Sequence, residues 1–367
     1  FTIAENARLQ VTGNHNFENS SRINGYGDVT VVGGTTNLNG EVNIGGILRT
    51  NGGTLNINNN ITVEQLVSAG GTVNVNYDQD FANLTISGGT FEAIEPLAVT
   101  DLVWQGGTLR DTDITASESL ILNGTTKDIN NSIIDNQGLA TWTSGTIRTF
   151  TNGSWFNRQN AELDIAGDLF LDYRSGTVMV MENAGLLRKS AGTGTSTLEI
   201  TLSNQGEISI ESGTLYFTAG FAQSQGVTEL DGGNLRVAGN FELQGGSIDG
   251  NGTIRGNLIS AGTLNPDIDG AGLLVLNDGI IQTNNSRVNI EIGGLTAGAE
   301  FDRIEILGSA ALNGVVNISL IDNFFPILGD SFEIITFPGA SGDLSFTGLE
   351  LGNGLKFDVI ENSDSIT

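Results

Sequence analysis

The chain has no cysteine, one histidine, four prolines and three lysines. Without cysteine there is no disulfide framework, no thiol nucleophile and no thiolate metal site. The lone histidine, His15, sits between Asn14 and Asn16 in an apparent turn; it excludes a histidine-rich zinc site and would have to serve any Ser-His-Asp triad alone. Basic residues are also scarce, 15 against 42 acidic ones, for a net charge of −27. A polyanion gains nothing from counterion release, so nucleic acid is excluded as a partner and anionic membranes are disfavoured. The surplus acid reads as a solubilising coat for a strand-rich molecule. No apolar run reaches the roughly 18 residues that span a bilayer, so membrane insertion is not expected. An amphipathic stripe of helical period is missing as well.

What the chain has in quantity is glycine, 52 residues of it, set among Asn, Thr, Ile, Leu and Val. The glycines recur with a period. Gly52-Gly53-Thr54, Gly70-Gly71-Thr72, Gly88-Gly89-Thr90 and Gly106-Gly107-Thr108 are spaced by 18, and so are Leu48, Leu66, Leu84, Leu102 and Leu120. Aligned on the glycine pair, the fourth position is always apolar: Leu55, Val73, Phe91, Leu109. The twelfth runs Val63, Phe81, Val99, Ser117, and the seventeenth includes Ile86, Trp104 and Leu122. Between these anchors apolar and polar residues alternate, the mark of strands with one buried face. A fixed short period of this kind signals a solenoid.

Three short strands per turn, with Gly or Asn at the corners, describe an all-β fold: a parallel, right-handed β-helix whose coils take roughly 18–20 residues and advance one strand spacing each. Leu66 should then lie directly above Leu48. The corner glycines meet a need for positive φ or close backbone approach. Past Asn123 the period loosens, while Ser144-Gly145-Thr146, Ser175-Gly176-Thr177 and Ser212-Gly213-Thr214 keep the corner signal. The pattern divides the chain into a β-helix rod over 1–263 and a more irregular β-rich continuation over 264–367. Both ends read as strand: Phe1-Thr2-Ile3-Ala4 at one, Phe357–Ile360 at the other. Neither carries an amphipathic capping helix, which predicts flanking sequence or a cap supplied by another subunit.

The last third carries a more specific pattern. Pro266, Gly270 and Leu273 follow a run of Gly-x-Leu/Ile turns. Phe301, Asp302, Ile304, Ile306, Gly308 and Ala310 form an aromatic-Asp segment, and Pro326, Gly329, Asp330 and Phe332 form a Pro-Gly-Asp strand pair. These residues resemble the terminal part of bacterial haemagglutinin-like and autotransporter-passenger-type surface proteins, which share the pectin-lyase-like β-solenoid. The resemblance implies an extracellular protein of the bacterial cell surface, an adhesin or matrix component whose β-helix is scaffold rather than catalyst. Its partners would be itself, head to tail in a fibre, or surface glycans. Phe1, Ile3, Phe357 and Val359 are the residues expected at the assembling ends.

Several side chains are candidates for chemistry. Parallel β-helices also carry polysaccharide lyases and glycoside hydrolases, which need clustered carboxylates on one exposed face. Asp164, Asp168 and Asp172 with Arg174 are the best such set, but Gly167 should break their segment in two, so no catalytic residue is assigned. No cofactor is expected apart from Ca²⁺, for which Asp267 and Asp269 offer a pair of carboxylates; a plain turn is the alternative. The Thr54, Thr72, Thr90 and Thr108 rank runs beside a mixed column of Asn56, Asn74, Glu92 and Arg110, a poor template for ice. Trp155 and Phe156 are neighbours and cannot both face inward on one strand, which makes them the expected glycan contact. Trp104 falls in the interior register.

Overall fold

The computed structural model describes residues 1–352 and 354–367. The described residues form strands, turns and bends, with no helix. Coils about 20 residues apart pair in parallel, about 14 of them in all, making a β-solenoid. Packing divides the chain into two compact units, Phe1–Gly185 and Leu186–Thr367.

In the first unit the leucine series becomes a column. Val29, Leu48, Leu66, Leu84, Leu102, Leu120, Ala140 and Leu163 are register partners from coil to coil, and all are buried. Leu55, Val73, Phe91, Leu109 and Ile129 form a second column. A third runs Ile86, Trp104, Leu122, Trp142 and Ile165. Each large member withdrawn from water is worth roughly 1.5–3 kcal/mol, and alignment lets each side chain pack on its own kind above and below. The corner column Gly53, Gly71, Gly89 and Gly107 has φ of 75°, 74°, 76° and 89°. A Cβ at Gly71 would stand 2.1 Å from the Gly53 carbonyl oxygen, so both the conformation and the spacing demand glycine.

The twelfth-position column differs from expectation. Val63 is half-buried, and Ile61 points inward instead. Two coils on, the register shifts between Val99 and Asp101, so Ala116 rather than Ser117 sits on Val99. The bulge turns Ser117 outward, where its hydroxyl donates to the Val99 carbonyl at 3.3 Å.

The interior is not wholly apolar. Asn136 donates to Asn157 at 2.8 Å and Asn157 to Asn183 at 2.7 Å, all three buried. Lys127 is fully enclosed, its Nζ donating to the carbonyls of Thr125 at 2.9 Å and Ser144 at 3.0 Å. Burial lowers this ammonium to about 8.

In the second unit the interior again lines up, through Leu187, Ile208, Thr228, Ile248, Leu264, Val288 and Val316. The step shortens between Ile248 and Leu264, then lengthens with each coil. Parallel pairing runs on without interruption through residues 263 and 264. Near the end the topology changes: Ser365–Ile366 pairs antiparallel with Ile335–Thr336. Glu350–Gly352 pairs antiparallel with Leu355–Lys356. The expected terminal coil strand at Phe357–Ile360 is therefore not formed. Gly352 and Gly354, at φ of 84° and 80°, help reverse the chain. Ile360 and Thr367 then exchange backbone hydrogen bonds at 2.9 and 3.0 Å.

Candidate binding surfaces of the coils

The pair expected to hold glycan is divided by the strand it lies on. Trp155, in strand Ser154–Asn157, is 1% exposed and stacks between Ile134 and Met181 in the interior. It offers nothing to a surface ligand, which corrects that assignment. Only Phe156 faces outward, and its ring is covered by the Arg158 guanidinium at 4.4 Å from the centroid. Arg158 is held in turn by Asp135, with Nε donating to Oδ1 at 2.6 Å. The error came from placing the pair beside a turn, when the strand starts at Ser154 and imposes strict alternation.

The carboxylate set separates as Gly167 suggested. Asp164 lies outward on Glu162–Ala166, whereas Asp172 lies on Phe170–Tyr173, in a different sheet. Asp168 is exposed between them. Asp172 is not a solvated acid: it is buried, pairs with Arg174 at 2.5 Å, and is the register partner of Arg148. Arg148 is itself bidentate to Asp128, at 2.7 Å through both Nε and Nη2. His15 opens strand His15–Phe17 rather than lying in a turn, with Nε2 at 2.7 Å from the Thr12 carbonyl oxygen.

Asp267 is half-buried and Asp269 exposed, in the turn after Pro266. The Asp267 Oδ1 accepts from the Ile268 backbone N–H at 2.8 Å. Among the described residues no three His, Asp or Glu side chains are grouped to hold a metal ion. The acid that the fold encloses is a neighbour in this region, Asp302. It is 2% exposed and accepts from Gly272 N–H at 2.8 Å and Glu291 N–H at 2.7 Å. Burial pushes its carboxyl up to about 7, against those two hydrogen bonds and with the help of the charges on Glu291 and Asp267. Glu229 and Asp249 are register partners on adjacent coils; burial raises both, and for Glu229 the carboxylates of Glu207 and Asp249 add to it.

The residues expected at assembling ends fall into two settings. Ile3 is buried and Phe1 is 71% exposed, its ring edge-on to Phe17 at 6.0 Å. Phe357 and Val359 are half-buried and line an apolar cavity of about 250 Å³ together with Phe332, Ile334 and Phe346. They pack under the antiparallel return and present no strand edge. The open edge nearby is Ala340–Thr347, which pairs with Ser309–Leu320 on one side and is largely solvent-exposed.

One regular outer face turns the Asn56, Asn74, Glu92 and Arg110 column of the sequence into a hydrogen-bonded ladder. On the strands that begin at Thr35, Thr54 and Thr72, asparagines stand two and four residues after each threonine. Asn56 donates to Asn37 at 2.6 Å and Asn74 to Asn56 at 2.7 Å. In the next column Asn58 donates to Asn39 at 2.8 Å and Asn76 to Asn58 at 2.8 Å. The first column ends in a Glu92–Arg110 ion pair. The Thr-x-Asn-x-Asn spacing was the available signal. No protein-family model, curated protein or solved structure matches the chain.

Proposed function

We propose that this chain is a non-catalytic, extracellular scaffold of a bacterial cell surface, acting by adhesive contact with surface glycans. The observation that supports this reading most is the pair of asparagine columns. They form a hydrogen-bonded and uncharged face on a chain of net charge −27. Asn39, Asn56 and Asn58 each spend one N–H and one acceptor site along a column, whereas the Asn74 Oδ1 is enclosed without a donor. In those three amides a second N–H and one lone pair are left over. Such a face suits a linear, uncharged polymer rich in hydroxyls. The resemblance of the last third to haemagglutinin-like passengers agrees with that role. A glycan microarray with neutral and acidic oligosaccharides tests it: retention of one glycan class supports adhesion, and a blank array refutes it.

A second reading, homopolymeric assembly, draws on a separate observation. Ala340–Thr347 is an eight-residue edge strand, largely exposed, and such an edge is a template for another strand. Negative-stain electron microscopy across a concentration series decides this reading. Fibres that disappear in Ser345→Pro would place assembly at this edge, whereas discrete particles at every concentration would leave adhesion alone.

A further inference from the structure

A polar groove of about 700 Å³ crosses successive coils of the first unit, lined among others by Glu5, Arg8, Tyr26, Asp28, Gly45 and Glu64. Tyr26 is its one aromatic member and is 76% exposed. The backbone fixes the root of this side chain, since Tyr26 N–H donates to the Ile3 carbonyl at 2.9 Å. Its ring lies against Gly45, where an added Cβ would stand 3.1 Å from Cδ1. Gly46 closes the floor: a Cβ there would come within 2.7 Å of Asp28 Oδ1 and 2.6 Å of the Gly27 carbonyl oxygen. The floor is thus bare backbone, with one ring edge supported and much of the ring left to solvent.

The polar groups around it point to a class of ligand. Arg8 is the register partner of Asp28 and stands exposed beside it. Asp28 Oδ1 accepts from Ile47 N–H at 3.0 Å, which fixes the carboxylate and leaves Oδ2 to other partners. Exposed Glu5 stands in the coil before and exposed Glu64 two coils after. A second hollow of about 340 Å³ shares Arg8, Asp28 and Ile47 and continues to Arg49 and Asn51. An exposed aromatic ring beside planar carboxylate and guanidinium groups matches a sugar ring, whose C–H face stacks while paired hydroxyls bond to the planar groups. Three carboxylates against Arg8 at the Tyr26 end repel a uronate. The joined hollows offer more length than one sugar needs.

We propose that this groove is a binding site for a neutral oligosaccharide, with Tyr26 as the stacking platform and Arg8 and Asp28 as the hydroxyl-binding pair. The proposal rests on the adhesive reading above and gives it a location apart from the asparagine face. The test is a microarray of neutral and uronate oligosaccharides, followed by titration of the retained glycan with wild type, Tyr26→Ala and Tyr26→Phe, each checked for an unchanged thermal melt. Wild type should retain a neutral oligosaccharide, Tyr26→Ala should weaken it about tenfold, and Tyr26→Phe should hold within about twofold. Equal binding by wild type and Tyr26→Ala overturns the site and leaves adhesion standing. Retention of uronates in preference to neutral sugars overturns the ligand class. A wild-type chain that retains nothing overturns both the site and the adhesive reading.

Discussion

The coils around Leu66–Leu120 and those around Val288–Val316 use the same parallel pairing but differ in how much chain each turn spends. In the first group every turn takes 18 residues, and three apolar columns fill the inside. In the second, long excursions interrupt each turn, and polar side chains pin them. The Glu300 carboxylate accepts from Leu295 and Thr296 N–H at 3.0 and 2.9 Å. Asp302 holds Gly272 and Glu291. A regular coil is specified by repetition, so an error in register propagates through it. An irregular coil is specified by individual hydrogen bonds, so its errors stay local but depend on protonation.

The largest expected effect breaks the first kind of specification. One residue inserted between Asn83 and Leu84 would turn Leu84 and Ile86 outward and their polar neighbours inward. Two buried side chains at roughly 1.5–3 kcal/mol each, plus uncompensated polar groups, should remove the cooperative melt of that unit. The same insertion beside Leu328, which is 93% exposed in a turn, should shift the melt only slightly. Circular dichroism melts of the two variants check the contrast. Equal losses would mean that register is not what sets the regular coils apart.

Much of this architecture is legible in the amino-acid sequence. The columns through Leu84, Phe91 and Trp104 follow from period and alternation alone, because identical coils must superimpose. The bulge at Val99–Asp101 is not legible, since a one-residue slip leaves composition and period nearly unchanged. Trp155 is misplaced for a related reason: strand starts decide which of two neighbours is inside, and starts are the least certain part of a sequence pattern. The antiparallel pair Glu350–Gly352 with Leu355–Lys356 depends on glycines whose φ the sequence does not announce. In the last third, the resemblance pattern marks residues that carry structure: Phe301 packs edge-on to Phe332 at 5.4 Å, Asp302 clamps two backbone N–H groups, and a Cβ at Gly308 would stand 1.7 Å from the Asp278 carbonyl oxygen. The Tyr26 groove is invisible in the sequence because its parts come from coils about 20 residues apart.

Protonation sharpens the comparison, because Lys127 in the first unit and Asp302 in the second are buried groups whose values burial shifts in opposite directions. Asp302 keeps its proton up to about pH 7 when folded, against 3.8 for the ordinary carboxyl. Its contribution is full below the lower value and is lost as pH rises to the upper one, a loss on the order of 4 kcal/mol at most. Glu291, also raised by burial, works in the same direction. Urea midpoints should therefore fall from pH 4 to pH 7, and Asp302→Asn should flatten most of that slope. Lys127 acts the other way. Its folded value of about 8 against 10.5 means that stability rises as pH climbs between them, by about 3 kcal/mol at most. Lys127→Met should remove that rise. If both variants leave both limbs intact, neither buried charge is coupled to folding.

The smallest effect separates two ladders of the same side chain within the first unit. Asn157 accepts from Asn136 and donates to Asn183 away from water, whereas Asn56 accepts from Asn74 and donates to Asn37 at a half-buried outer face. Truncating Asn157 to alanine breaks bonds that water cannot replace without entering the coil, so about 1–3 kcal/mol should be lost. Truncating Asn56 breaks its two ladder bonds, but water can bond to the freed amides of Asn37 and Asn74, and the loss should stay below about 1 kcal/mol. Paired urea titrations of the two variants measure the difference. A cost at Asn56 equal to that at Asn157 would mean that the outer ladder is maintained for stability, and it would take from the adhesive reading its main support, because the outward amides would then need no ligand to explain them.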